Sequence, residues 1–224
     1  MLARLSSETQ TLLKKHLQHI LEANKKINLT RITLWDKALL LHVEDSLAGL
    51  GELAQAPKGR FADLGSGGGF PGIPLALAGE REAVLIESVQ KKARILEESV
   101  SLLGVGEQIV VAAMRSEELA QKQGARFAAV TARAVTALPI LMELAQPLLV
   151  FGGRLIAYKS ITDGIEIEKA RSIETLLGMR IIAIRELLLS DGKTQRAIIS
   201  VEKTGESQIF LPRRPGIAQK HPLV

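Results

Sequence analysis

From residue 59 onward, short apolar runs alternate with segments of helical period, and this alternation leaves few folds open to the chain. The runs RFADL (60–64), AVLIE (83–87), QIVVAA (108–113), FAAVTA (127–132) and GRLIAYK (153–159) read as strands. Between them, residues 89–104 repeat apolar side chains at Val89, Ala93, Leu96, Val100 and Leu103, a helical spacing that Gly104 closes. PGIPLALAG, SEELAQKQG with Ser116 as its N-cap, ALPILMELAQPLLV and GIEIEKARSIETLLG complete the helices. RIIAIREL and QRAIISVEK flank the turn SDGKT as a hairpin. Strands that alternate with helices build a parallel sheet covered on both faces. The expected fold is Rossmann-like α/β, with a seven-stranded, mostly parallel sheet and a terminal antiparallel hairpin strand. Before this core, residues 1–58 form a helical extension of two amphipathic helices. The core is expected over 59–203 and a Pro- and Gly-rich basic tail over 204–224, all in one structural domain.

Charge is distributed unevenly along the chain. Residues 1–58 carry eight Lys/Arg against six Asp/Glu, residues 59–202 carry 17 against 17, and residues 203–224 carry four against one. Basic ends on a neutral core suggest a polyanionic partner, with ordinary solubilising charge as the plainer reading. The chain has 0 cysteines, which excludes a disulfide scaffold, a thiol nucleophile and a zinc knuckle. His16 and His19 have ligand-like spacing, but no carboxylate pair joins them, and no metal site is expected. No apolar run is long enough for a membrane span and the N-terminus lacks a signal-peptide pattern, so a cytoplasmic location is expected.

The turn after the first strand, DLGSGGGFPGIP, gathers glycines at 65, 67, 68, 69 and 72. A turn between the first strand and first helix of such a sheet is where ligands dock, at the carboxyl ends of the strands. A dinucleotide fingerprint would need a third glycine at position 70, which is Phe70, and no G-x-x-x-x-G-K-[ST] phosphate loop is present. The spacing here is G-x-G-x-G behind Asp63. It lets bare backbone lie along a nucleoside that carries an amino-acid side chain and no diphosphate. Glu87 ends the second strand, where a carboxylate can accept hydrogen bonds from two ribose hydroxyls. Ser116 and Glu117 follow the third strand and can supply donors and acceptors to an adenine edge. Together these features describe a site for S-adenosyl-L-methionine. The competing reading has Glu87 and Glu117 serving only as helix caps.

The segments NLTR (28–31), HVEDSL (42–47), DLGSGGGFPGIPLA (63–76), ESVQKKARIL (87–96), RSEEL (115–119), ARAVTALPILMELAQPLL (132–149), GGRLIAYK (152–159) and RRPGIAQKHPL (213–223) resemble the ribosomal RNA small subunit methyltransferase G family, also called glucose-inhibited division protein B. The resemblance spans nearly the whole chain, and Gly-Phe-Pro-Gly-Ile-Pro is its most specific element. It implies a class I S-adenosylmethionine-dependent methyltransferase that modifies N7 of a guanine in 16S ribosomal RNA. By position, Gly65, Gly67, Gly69 and Phe70 would line the cofactor loop, Glu87, Ser88 and Val89 the ribose, and Ser116 and Glu117 the adenine. Arg133, after the fourth strand, would be a further cofactor-binding residue, placed to touch both cofactor and substrate. Two departures from the family pattern are present: Leu41 stands before His42 where the family often has Arg, and Glu87 stands where Asp is common.

The residues agree with that chemistry. TARAVT occupies the position at which exocyclic-amine methyltransferases carry an Asn/Asp-Pro-Pro-aromatic turn, and cytosine C5 chemistry would need the absent cysteine. Guanine N7 needs neither device and no general base, so catalysis is expected to be positional. Arg133 is the candidate for positioning; the structural alternative is an ion pair with Asp63 or Glu143. Lys25, Lys26, Arg31, Lys159, Arg213, Arg214 and Lys220 are candidates for RNA phosphates, which set affinity and its salt dependence. At 3% aromatic residues a base-stacking platform is not expected. The expected partner is small-subunit RNA or the 30S particle, met by a monomer. Two other readings stay open on the residues: methylation of a small molecule or protein, and a non-catalytic RNA-binding assembly factor.

Overall fold

The computed structural model describes residues 2–161 and 163–224. In chain order its strands are β1 (Phe61–Leu64), β2 (Ala83–Ile86), β3 (Ile109–Ala112), β4 (Phe127–Arg133), β5 (Leu149–Lys159), β6 (Met179–Leu188) and β7 (Gln195–Lys203). They form one sheet in the order β3-β2-β1-β4-β5-β7-β6. β1 to β5 run parallel and β7 inserts antiparallel between β5 and β6. Strand order reverses between β1 and β4, and such a switch point opens a crevice at the strands' carboxyl ends. The register sets what borders that crevice. Leu64 pairs with Ile86 and with Ala132, so Gly65, Glu87 and Arg133 leave the sheet side by side.

The helices are α1 (Ser7–Asn24), α2 (Trp35–Ala38), α3 (Asp45–Leu47), α4 (Leu50–Gln55), α5 (Gly72–Gly79), α6 (Gln90–Leu103), α7 (Ser116–Gln123), α8 (Leu138–Ala145), α9 (Gly164–Ser172), α10 (Glu174–Leu177) and α11 (Ile217–Lys220). Successive strand residues point to opposite faces, and the buried core divides accordingly. Phe61, Leu85, Ala129, Ile156 and Ile198 face α1, α5 and α6. Ala62, Val84, Val130, Leu155 and Ile199 face the layer of α7, α8 and α9. Residues 1–58 therefore do not hang from the core: Leu13, Leu17 and Ile20 of α1 are part of its first face. Among the described residues, no helix is long and apolar enough to cross a membrane.

Four local expectations need correction. The second N-terminal helix changes winding, with a π-type segment over Leu39–Glu44 joining α2 to α3, and it is interrupted at Ala48–Gly49 before α4. Ser116 is the first helical residue and not the cap; Arg115 takes the cap position, with its N–H donating to the Glu118 carboxylate at 3.0 Å. The helix after β5 breaks at Ile173 into α9 and α10. Residues 207–224 are not a free tail. Ala218 is buried in the α8 layer, and Ile209, Leu211 and Leu223 pack against it.

Candidate active site

Main chain dominates the crevice. The Gly65 and Ser66 amides donate to the Ile86 carbonyl at 2.9 and 3.0 Å, and the Gly69 amide donates to the Ser66 carbonyl at 2.7 Å. These bonds hold Gly65, Gly67 and Gly69 at φ +70°, +56° and +84°. Gly67 is the informative one. A Cβ there would meet nothing closer than the Gly65 carbonyl oxygen at 3.9 Å, so its bare face looks into open space and not into protein. Gly72 is required for the opposite reason, since a Cβ would stand 2.5 Å from Leu85 Cδ2 and 2.8 Å from the Asp63 side chain.

Glu87 is tied to both walls of the crevice. The Gly67 amide donates to Oε2 at 2.9 Å and the Val89 amide to Oε1 at 2.8 Å. Each carboxylate oxygen keeps a second lone pair for a ligand hydroxyl. Beyond Glu87 lies a cleft of about 80 Å³ lined by Gly65, Ile86, Ser88, Ser116, Glu117 and Val135, among others. Val89 itself is about half exposed and is not among the residues lining that cleft. Glu117 faces away from solvent: the Ser116 hydroxyl donates to Oε2 at 3.0 Å and the Gly216 amide to Oε1 at 2.8 Å. Beneath the loop, Asp63 is fully buried and accepts from the Thr131 hydroxyl at 2.6 Å. Burial pushes its carboxyl up to about 6.

Arg133 leaves the end of β4 and is caught by the N-terminal extension, not by Asp63 or Glu143. Its Nη1 donates to the Leu41 carbonyl at 2.9 Å and to Asp45 Oδ2 at 3.0 Å. Asp45 Oδ1 accepts from Arg196 Nε at 2.8 Å, so one buried carboxylate holds two guanidiniums. The wide turn explains why the Leu41 carbonyl can serve, since loosened helical bonding frees carbonyls and such turns often sit at functional sites. Phe70 packs beside this group. Its ring lies 4.9 Å from the His42 ring in a stack, 4.8 Å from His16, and 5.9 Å from the Arg133 guanidinium carbon. Burial lowers His16 to about 3; burial and then Arg133 lower His42 to about 4. Both rings are thus neutral at pH 7, and His42 is a poor proton acceptor there. On the far side of Arg133 a hollow of about 400 Å³ is lined by Ile32, Leu41, Thr136, Tyr158 and Lys159, among others.

Of the cofactor candidates, Gly65, Ser88, Ser116 and Glu117 line the 80 Å³ cleft, Gly67 and Glu87 are joined by a hydrogen bond at the same strand ends, Gly69 and Phe70 face His16, and Arg133 lines the 400 Å³ hollow. The basic candidates divide. Lys26, Arg31, Arg214 and Lys220 are exposed. Lys25 pairs with Glu22 at 2.7 Å. Lys159 donates to Glu166 at 2.6 Å and to the Thr136 carbonyl at 3.0 Å. Arg213 grips Glu143 through two bonds of 2.7 and 2.6 Å. Asp45, Arg196 and Gln219, which border the two hollows, carry no sequence signal of their own, although Asp45 lies within the HVEDSL segment.

The sheet order, the glycine turn at the switch point and the acid at the end of β2 define a Rossmann-like class I methyltransferase, an enzyme that uses S-adenosyl-L-methionine. Residues 9–199 match the family model for GidB, rRNA small subunit methyltransferase G. A ribosomal RNA small subunit methyltransferase G of Desulfitobacterium hafniense is 40% identical over 208 residues, covering 92% of this chain and 85% of the relative. One of Symbiobacterium thermophilum is 36% identical over 215 residues, covering 93% and 87%. Among solved structures, cofactor-bound Rv0187 from MTB superposes with a TM-score of 0.60 at 18% identity, over 86% of this chain and 91% of that one, a likeness of fold. The chain belongs to the rRNA small subunit methyltransferase G family.

Proposed function

We propose that this protein methylates N7 of a guanine in 16S ribosomal RNA, acting in the cytoplasm as a monomer on small-subunit RNA or the 30S particle. The observation that carries this reading is the placement of Arg133. It is fixed by Asp45 and the Leu41 carbonyl between the glycine crevice and the 400 Å³ hollow. The crevice suits the cofactor, because the open face of Gly67 is a cradle that a Cβ would fill and Glu87 retains free lone pairs. When bound there, S-adenosyl-L-methionine supplies an electrophilic sulfonium methyl group.

The chain's own part is alignment. The loop backbone and Glu87 orient the nucleoside, and the Ser116 end of α7 borders its base. Arg133 places the acceptor ring, with Phe70 held behind it by the two neutral histidines. Guanine N7 carries an in-plane lone pair and releases no proton on methylation, so the low basicity of His42 is no obstacle. Holding reactants in line can lower a barrier by roughly 7–11 kcal/mol in favourable systems. The exposed Lys26, Arg31, Arg214 and Lys220 serve phosphates, and steep salt dependence of RNA binding follows.

The test uses methyl-labelled S-adenosyl-L-methionine and small ribosomal subunits lacking the modification, with the label mapped by nuclease digestion. Label confined to N7-methylguanosine is expected. Label at another atom, or transfer only to protein or small molecules, overturns the proposal.

A further inference from the structure

The C-terminal strap lies across the nucleoside cleft, and several observations fix it there. The Gln208 amide donates to the Leu176 carbonyl at 2.8 Å, where the strap begins. Arg213 is clamped by Glu143 and also donates to the His221 carbonyl at 3.0 Å, which closes the strap on itself. The Gly216 amide reaches Glu117 in the cleft wall, and Ala218 is buried. These anchors bring Gln219 to the cleft, where it is a lining residue opposite Gly65 and Ile86. Its side chain makes no hydrogen bond among the described residues, and the residue is exposed.

An amide offers one acceptor and one donor group side by side. That pair complements the N7 edge of a 6-aminopurine, which presents an amine beside a ring nitrogen; the pairing of Gln with adenine in nucleic-acid recognition uses it. A 6-oxopurine presents two acceptors at that edge and breaks the match. We propose that the strap forms the outer wall of the cofactor's nucleoside cleft and that Gln219 reads the 6-amino edge of the purine. The inference rests on the assignment of this cleft to the cofactor. It also gives the C-terminal segment a role in the small-molecule site, apart from any RNA contact made by Arg214 and Lys220.

Calorimetry on the full chain, with S-adenosylhomocysteine and S-inosylhomocysteine as probes, tests it. The unaltered protein is expected to prefer the adenosyl compound. Gln219→Ala is expected to weaken adenosyl binding about tenfold while changing inosyl binding less than about twofold, so that the preference shrinks. Gln219 is exposed, so this change leaves folding intact, which a thermal melt verifies. If Gln219→Ala alters neither affinity while Glu87→Ala weakens both, the inference is overturned and the cofactor site stands. If Glu87→Ala also alters neither, the site itself is misplaced and the inference falls with it.

Discussion

Arg213, a candidate for RNA phosphates, pairs in the structure with a buried carboxylate, which makes Arg213→Ala a sharp perturbation. The Glu143 side chain is 3% exposed and that of Arg213 23%. Removing the guanidinium strands a carboxylate in the α8 layer, and breaking a buried pair costs about 3–5 kcal/mol. Since the Arg end is partly open to water, about 3 kcal/mol is the better figure. For a chain of this size each kcal/mol moves the melting temperature by about 2–4 °C. A drop of about 6–12 °C in a calorimetric melt is therefore expected. The strap has a second way to fail: it can peel from α8 so that Glu143 reaches water. The melt then moves less, and residues 207–224 become the first site of limited proteolysis. The double variant Arg213→Met, Glu143→Leu separates charge from packing, because an apolar pair of similar volume restores most of the loss. An Arg213→Ala protein with unchanged melting and unchanged proteolysis, but weakened RNA binding, would refute the reasoning.

Three further outcomes are expected. Gly67→Ala should lower melting by only a few degrees, since its Cβ meets no side chain, yet weaken S-adenosylhomocysteine binding tenfold or more; unchanged affinity would mean that the nucleoside does not lie on that face. Arg133→Lys should depress turnover more than tenfold with cofactor affinity retained, because one amine cannot span the Leu41 carbonyl and Asp45 while facing the hollow; a collapse in melting would make the residue structural. Acidification should destabilise the fold. Near pH 5 the unfolded chain protonates His16 and His42, which the folded chain keeps neutral, while folded Asp63 holds a proton that the unfolded chain has released. The balance is about one proton taken up on unfolding, or about 1.4 kcal/mol lost per pH unit as pH falls from 6 toward 4.5. His16→Leu should flatten that slope in urea titrations, and an unchanged slope would contradict the assignment.

What the sequence disclosed and what it hid follow one physical division. The strands and the glycine turn were legible because each is written locally, in short apolar runs or in residues that tolerate positive φ. So was Glu87, whose importance comes from following a strand. The Asp45–Arg196 bond joins residues 151 apart and rests on where β7 inserts, which no local pattern states. The π-type segment at Leu39–Glu44 left the apolar spacing of a helix intact and changed only its winding. The strap was misjudged because its prolines and glycines describe a chain without regular structure, whereas its order comes from Glu143 and Glu117 on other elements. Ser116 missed the cap by one residue because the Arg115 amide is satisfied by the Glu118 side chain three positions on.

The N-terminal extension gives the site its second half. A sheet with a glycine turn and Glu87 can hold a nucleoside, but the hydrogen bonds that hold Arg133 and the histidine rings that flank Phe70 come from residues 1–58. The Leu41 carbonyl and Asp45 hold the guanidinium, His16 and His42 flank the ring, and Tyr158 in β5 donates to the Ser46 carbonyl at 2.7 Å, pinning α3 to the sheet. Because His16 and His42 stay neutral, this brace adds no charge that would repel a cationic methyl donor or compete with Arg133. In the proposed reaction the acceptor loses no proton and asks the protein for rigidity and little else. A wall of buried rings and doubly held guanidiniums, built from an extension that shares its core with α5 and α6, supplies rigidity beside the hollow that Arg133 lines.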